Sequence, residues 1–355
     1  MRRAAGEPRS HRLSAWSAYL LGVACLIAAY MWGHFVGPSW LNSGPVFNLV
    51  GASAVVALIV GARKNARELR GPWYLFALAQ AFFVTGDVIA YNYQRFFGSA
   101  LPFPSIADAF YLAVGPLLVA GLVLLIRQRN ETRSRAGLID AGIITAAVAA
   151  LSWIYLMAPY AHDPTLTLAT KLTSIAYPMM DILVLGVVLR LAVGGRRRGA
   201  AFGFLLAGAA MLLVTDAIYG WKLLHGGYTT GGVLDVGWAA FYALLGAAAL
   251  HPSMRRLAEP APDPGERLSR YRLALLTCAT LTAPILLLAR GWRGNSVDST
   301  VLVATSVVLF ALVLLRMTGL VHHNEVAARR ETALRVAGEA LVTASGLDEI
   351  YAAAM

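Results

Sequence analysis

Six aspartates, Asp87, Asp108, Asp140, Asp181, Asp216 and Asp235, stand within or at the edge of long apolar stretches of a 355-residue chain. A carboxylate at bilayer depth costs roughly 2.5–3.5 kcal/mol on insertion scales, so such side chains usually face a bundle interior or a wet cavity. Asp87, Asp108, Asp216 and Asp235 fall at similar depth, in the half of their stretches that reads as outer, with Tyr91, Tyr111, Tyr219, Trp221, Trp238 and Tyr242 near them. This pattern predicts an aromatic, acidic pocket open to the outside, suited to an unknown small ligand or ion: a cation, a cationic molecule or a metal. The competing expectation is structural. Asp108 and Asp235 sit where helices begin, and a carboxylate there suits the helix macrodipole. Asp87 and Asp216, deeper in their helices, would then accept bonds from Tyr, Ser and Thr of neighbouring helices, and the aromatics would form an interfacial belt.

Other chemistry is thinly signalled. His34, His162 and His225 lie on the same side as the acidic pocket, and His162-Asp163 would extend it to a metal site. No HxH or HExxH spacing supports that, and the metal is left unknown. Cys25 and Cys278 are the only cysteines, and they form neither a disulfide framework nor a metal pattern. The chain holds no phosphate-binding loop, nucleophile elbow or kinase motif, so no catalytic residue and no cofactor is expected in it. Glu339-Ala340-Leu341 spells a phosphodiesterase signature but lacks the metal-binding carboxylates such an enzyme needs.

The elements that must position the aspartates are helices. Mean hydropathy is +0.62, and about 20 apolar residues span a hydrocarbon core about 30 Å thick. Ten stretches qualify, near 14–34, 44–62, 73–93, 105–126, 137–157, 172–191, 200–220, 232–250, 273–289 and 300–320. Of the 30 basic residues, 25 then fall on one side, leaving Arg95, Lys171, Lys222, Arg290 and Arg293 opposite. Basic loops stay cytoplasmic, so both termini are expected inside a plasma membrane. The net charge of +11 follows from that asymmetry, and nucleic acid is not an expected partner. An all-α polytopic bundle in the lipid bilayer is the predicted fold class.

Residues 1–13 read as a basic cytoplasmic terminus and 14–254 as an eight-helix core. A proline-rich cytoplasmic loop, 255–272, separates the core from a final helix pair, 273–320. Within the core, Val84-Thr85-Gly86-Asp87 recurs as Val214-Thr215-Asp216, each followed about twenty residues later by a second acidic crossing at Asp108 or Asp235. This predicts a parallel internal repeat of 73–126 and 200–250, with Asp140 and Asp181 marking a degenerate third copy. Tyr177-Pro178 is expected to kink the sixth crossing. Beyond it all, 321–345 is polar and helix-favouring, with Leu334, Ala337, Leu341 and Ala344 at three- and four-residue steps. Such a stripe calls for a partner helix, so a homodimeric signalling coil is expected, running into a new cytoplasmic unit at 346–355.

The string Pro104-Ser105-Ile106-Ala107-Asp108-Ala109-Phe110-Tyr111-Leu112, the string Ala248-Ala249-Leu250-His251-Pro252-Ser253-Met254 and the exit helix resemble the multi-pass membrane input region of bacterial GGDEF/EAL proteins. These make or degrade cyclic di-GMP. The segment 334–354 resembles a signalling helix entering a GAF domain. The resemblance implies a sensory module governing a diguanylate cyclase or phosphodiesterase whose catalytic residues lie in domains this chain does not contain. The alternatives are a secondary transporter using its membrane carboxylates, the input module of a sensor histidine kinase, or a membrane scaffold without a ligand.

Overall fold

In the computed structural model, residues 14–65, 70–128, 135–193, 199–258, 270–291 and 299–343 are described, and all their regular structure is helical. The basic segment 1–13, most of the proline-rich loop, Ala344 and the expected new unit at 346–355 lie outside the described residues. Among the described residues nine helices are long and apolar enough to cross a membrane. The chain is an all-α polytopic bundle. Hydrocarbon offers backbone groups no partner, and a helix satisfies them within the segment.

The helices are α1 (Ala15–Phe35), α2 (Gly44–Asn65), α3 (Arg70–Tyr91), a short α4 (Tyr93–Phe97), α5 (Ile106–Gln128) and α6 (Arg135–Ser152). They continue with α7 (Ala158–His162), α8 (Leu168–Val193), α9 (Ala200–His225), α10 (Asp235–Leu250), α11 (Arg270–Gly291) and α12 (Ser299–Thr343). A π-helical turn, Trp153–Met157, joins α6 to α7. Pro159 explains the widening: proline has no N–H, and its ring displaces the carbonyl four residues earlier. Pro178 meets the same constraint inside α8, where the helix runs unbroken through it.

The eighth expected crossing is shorter than predicted. Residues 226–234 form an irregular loop with left-handed glycines at Gly226, Gly227 and Gly231, so α10 starts only at Asp235 and has 16 residues. The expected exit coil is not a separate helix. It continues the last crossing as one 45-residue helix, α12, about 67 Å long at 1.5 Å per residue.

The chain divides into two compact units. One comprises Met1–Ser134 and Val148–Asp263. Its helices close a ring in the order α2, α3, α5, α8, α9, α10 and back to α2, with α1 packed on α10 and α2. Three helices before α6 and three after α7 thus follow the same path in turn, so α2 and α8 also belong to the pattern read from the sequence in α3–α5 and α9–α10. Close approach relies on small residues, as in membrane bundles generally. Gly61 of α2 lies against the backbone of Ala249 in α10, leaving no room for a Cβ. Along the ring axis, Phe76, Leu118, Leu122, Val184, Leu205 and Leu245 line an apolar gap.

The second unit comprises Arg135–Ala147 and Pro264–Met355. Here the structure departs from the expected eight-plus-two division, because the first part of the fifth crossing groups with the final pair. Asp140 of α6 is the reason. It is 1% exposed, and it pairs with Arg272 at the start of α11 and with Nε of Arg316 in α12 at 3.0 Å. Asp140 is therefore an ion-pair centre of this unit.

Candidate functional site

The four carboxylates singled out in the sequence share one end of the ring, and each is held by aromatic donors from other helices. Asp87 in α3 is 6% exposed. Tyr111 of α5 donates its hydroxyl to Oδ1 at 2.9 Å, and Tyr242 of α10 donates to Oδ2 at 3.0 Å. Asp216 in α9 accepts the indole N–H of Trp238 in α10 at 2.7 Å, and its carboxyl contacts that of Asp181 from α8.

These bonds repeat with the sequence. Tyr111 follows Asp108 by three positions and Trp238 follows Asp235 by three, so in each half a donor one turn into the second helix holds the deep aspartate of the first. Asp108 closes a capping box at the start of α5, accepting Ser105 N at 2.6 Å and Ser105 Oγ at 2.9 Å while Ser105 Oγ accepts Ala107 N. Tyr177 of α8 also donates to Asp108 at 2.6 Å. Asp235 accepts Tyr30 of α1 at 2.8 Å and Gly231 N at 2.9 Å. Tyr228 reaches it at 3.4 Å. Burial and the facing Asp235 carboxylate push the Tyr228 hydroxyl up, which keeps it a donor.

The aromatic residues named from the sequence fall into place unevenly. Tyr219 packs edge-on against Tyr228 at 4.8 Å and Trp238 at 5.4 Å, linking the surroundings of Asp216 and Asp235. Tyr91 lies 6.2 Å from the ring of Phe47 and close to Tyr30 and Asp235. Trp221 does not join the pocket: it stacks on His225 at 3.8 Å and is 46% exposed.

Two members of the histidine extension, Asp163 and His225, have partners outside the belt. Asp163 is taken up by the amide and hydroxyl of Thr165, which hold its carboxyl below the usual range, and His225 Nδ1 engages the Trp221 carbonyl at 2.9 Å. Among the described residues no three His, Cys, Asp or Glu side chains gather as a metal-holding group.

No family model, curated protein or solved structure matches this chain. Among the described residues, ion pairs join Asp140 to arginines and Arg335 to Glu339, and none reaches a belt carboxylate. Acidic groups neutralised by no protein cation and fixed by tyrosine and indole donors suit recognition of a positive partner better than bond-making.

Tyr30 and Tyr177 are not legible as site residues from the sequence, because their partners Asp235 and Asp108 lie on helices far away in the chain, and Tyr228, seven residues before Asp235, is brought to it only by the irregular loop between α9 and α10. It had placed Asp181 in a separate repeat copy. Nor had it assigned roles to Asn48 and Gln80, which carried no signal as single polar residues in apolar helices.

The string Leu250-His251-Pro252-Ser253-Met254 has a structural role of its own. Ser253 Oγ caps α9 by accepting Ala201 N at 3.0 Å, and His251 Nδ1 lies 2.8 Å from that hydroxyl and accepts Ser253 N at 3.0 Å. Met254 is fully buried. The end of α10 is thereby bound to the start of α9.

Proposed function

We propose that the chain is the sensory input module of a membrane signal-transduction protein, with a cyclic-di-GMP synthase or phosphodiesterase as its output. The observation that carries this reading is α12. One helix of 45 residues contains the last apolar span and the charged segment after it. About 30 Å of its roughly 67 Å suffices for the hydrocarbon core, so the remainder is a rod leading away from the membrane. Leu334, on that rod, is 75% exposed. Ala337 and Leu341 occupy the same helix at stripe positions. In this reading the rod pairs with a second copy, both termini are cytoplasmic as the basic residues imply, and the bilayer is the plasma membrane.

Sensing is assigned to the carboxylate belt. A ligand that binds two packings of the ring unequally shifts the balance between them, and α6 is covalently continuous from the α12-containing unit into the ring unit. The resemblance to GGDEF/EAL input regions favours a cyclic-di-GMP output over a histidine kinase. A transporter is the second reading, supported by the repeated carboxylate geometry. The apolar lining of the ring axis weighs against a polar path through it.

Insertion of one to four alanines between Val321 and His322 in the full-length protein tests the signalling role. Each residue turns the rod by about 100°, so output should rise and fall with helical period. Output that ignores all four insertions would contradict the reading.

A further inference from the structure

The faces of α2 and α3 that meet inside the ring are in a register set by two glycines. A Cβ on Gly44 would strike Tyr91 at 2.8 Å, and one on Gly51 would strike Val84 at 2.5 Å. In this antiparallel pair Asn48 is therefore level with Asp87. Gln80 lies two turns from Asp87 on the same face of α3, since residues seven apart nearly eclipse on a helix. The Gln80 amide extends along the seam toward Asp87: its Nε2 is 3.6 Å from the Gly51 Cβ position, which is level with Val84, and the Tyr242 ring is 3.4 Å from that position. Tyr242 is the side chain that donates to Asp87.

This seam is polar beyond what the protein itself satisfies. Gln80 is 1% exposed, and neither of its amide atoms has a hydrogen-bond partner. The side-chain oxygen of Asn48 is also buried and unpartnered. Leaving such groups bare costs about 1–3 kcal/mol each. A proton on Asp87 would remove its charge but leave both amide oxygens unserved. Water would serve the oxygens but leave the carboxylate without a counter-charge at membrane depth.

One positive ion serves the carboxylate and both amide oxygens at once, with the Gln80 Nε2 donor outside its coordination. We propose that the α2–α3 seam binds a sodium-sized monovalent cation, with the Asp87 carboxylate as its charged ligand and the side-chain oxygens of Asn48 and Gln80 as neutral ones. An all-oxygen set suits a hard cation, and a single carboxylate is neutralised by one positive charge. Tyr111 and Tyr242 hold the carboxylate in place while its remaining lone pairs face the ion. The proposal rests on the sensory reading only in making this ion the stimulus; the site itself stands or falls separately.

The test uses the whole chain in nanodiscs, with sodium, potassium and choline chlorides at equal ionic strength. Wild type should bind radioactive sodium saturably and unfold at a higher temperature in sodium than in choline. Asp87→Asn and Gln80→Leu should each weaken sodium binding by at least about tenfold, while Asp163→Asn, in an exposed loop, should bind as wild type. Wild type that shows no saturable sodium binding overturns the site even if a variant fails to fold. Binding that survives both seam substitutions unchanged also overturns it. Sodium binding together with an output indifferent to Asp87→Asn would remove the sensory reading and leave the site standing.

Discussion

Tyr242 donates its hydroxyl to Asp87 at 3.0 Å, joining α10 to α3 across 155 positions of sequence. With Tyr111 on the other carboxylate oxygen, three ring helices meet at one buried acid. Tyr111→Phe and Tyr242→Phe should each destabilise the purified protein by about 1–3 kcal/mol, because a buried acceptor loses its donor while the ring volume is kept. Their effects should not add, since both act on one carboxylate. Denaturant unfolding in detergent micelles measures this; a neutral Tyr242→Phe would mean that the bond contributes nothing to ring closure.

The Asp140 pairs with Arg272 and Arg316 predict a different pattern. Asp140→Leu alone removes the buried carboxylate that pairs with Arg272 and with Arg316, the latter 3% exposed, and should cost about 3–5 kcal/mol and most of the membrane-extracted yield. Asp140→Leu combined with Arg272→Met and Arg316→Met should regain much of that yield, because an apolar replacement of a whole buried ion group is tolerated. Equal loss in the single and triple variants would contradict this account of α6 and α12.

His251 supplies a pH dependence. Burial lowers its pKa below the usual 6.5, and its Nδ1 is occupied as an acceptor for Ser253 N. The folded state therefore favours the neutral ring, so the unfolded state binds more protons as the pH drops below 6.5. Thermal stability should be full above that pH and decline beneath it, and His251→Asn, which keeps an acceptor but does not titrate, should flatten the decline. A variant retaining the wild-type slope below pH 6.5 would assign the effect to other groups.

Much of this architecture was legible in the sequence because hydrocarbon imposes a simple rule of length and polarity. The apolar stretches, the Asp87–Asp216 correspondence and the placing of Asp108 at a helix start all follow from local pattern. What could not be read was partnership across helices. Arg272 and Arg316 looked like loop-side charges, so the pull that groups the start of α6 with the last pair was hidden. The eighth crossing was legible at 232–250, but not the start of α10 three residues later, where the Asp235 carboxylate accepts the Gly231 N–H across the turn that opens the helix. Asn48 is anonymous until register puts it level with Asp87, and Gln80 until its unpartnered amide is found on the same seam.

The apolar stripe read from the sequence of α12, with Leu334 exposed on it, predicts a second copy of the chain. Cysteines placed at Leu334 and Leu341 should cross-link two full-length chains in native membranes, whereas cysteine at the exposed, off-stripe Val336 should do so poorly. Equal cross-linking at all three positions would indicate random collision and contradict a specific coil.

The central claim is that the carboxylate belt sets the output, and its most direct test is the rate of cyclic-di-GMP turnover by the full-length protein in membranes carrying Asp87→Asn or Asp216→Asn. Asparagine keeps the shape and the Tyr or Trp hydrogen bond while removing the charge. The account predicts near-normal abundance with output fixed high or low and insensitive to sodium. Output equal to wild type in both variants, with the same sodium response, would contradict it.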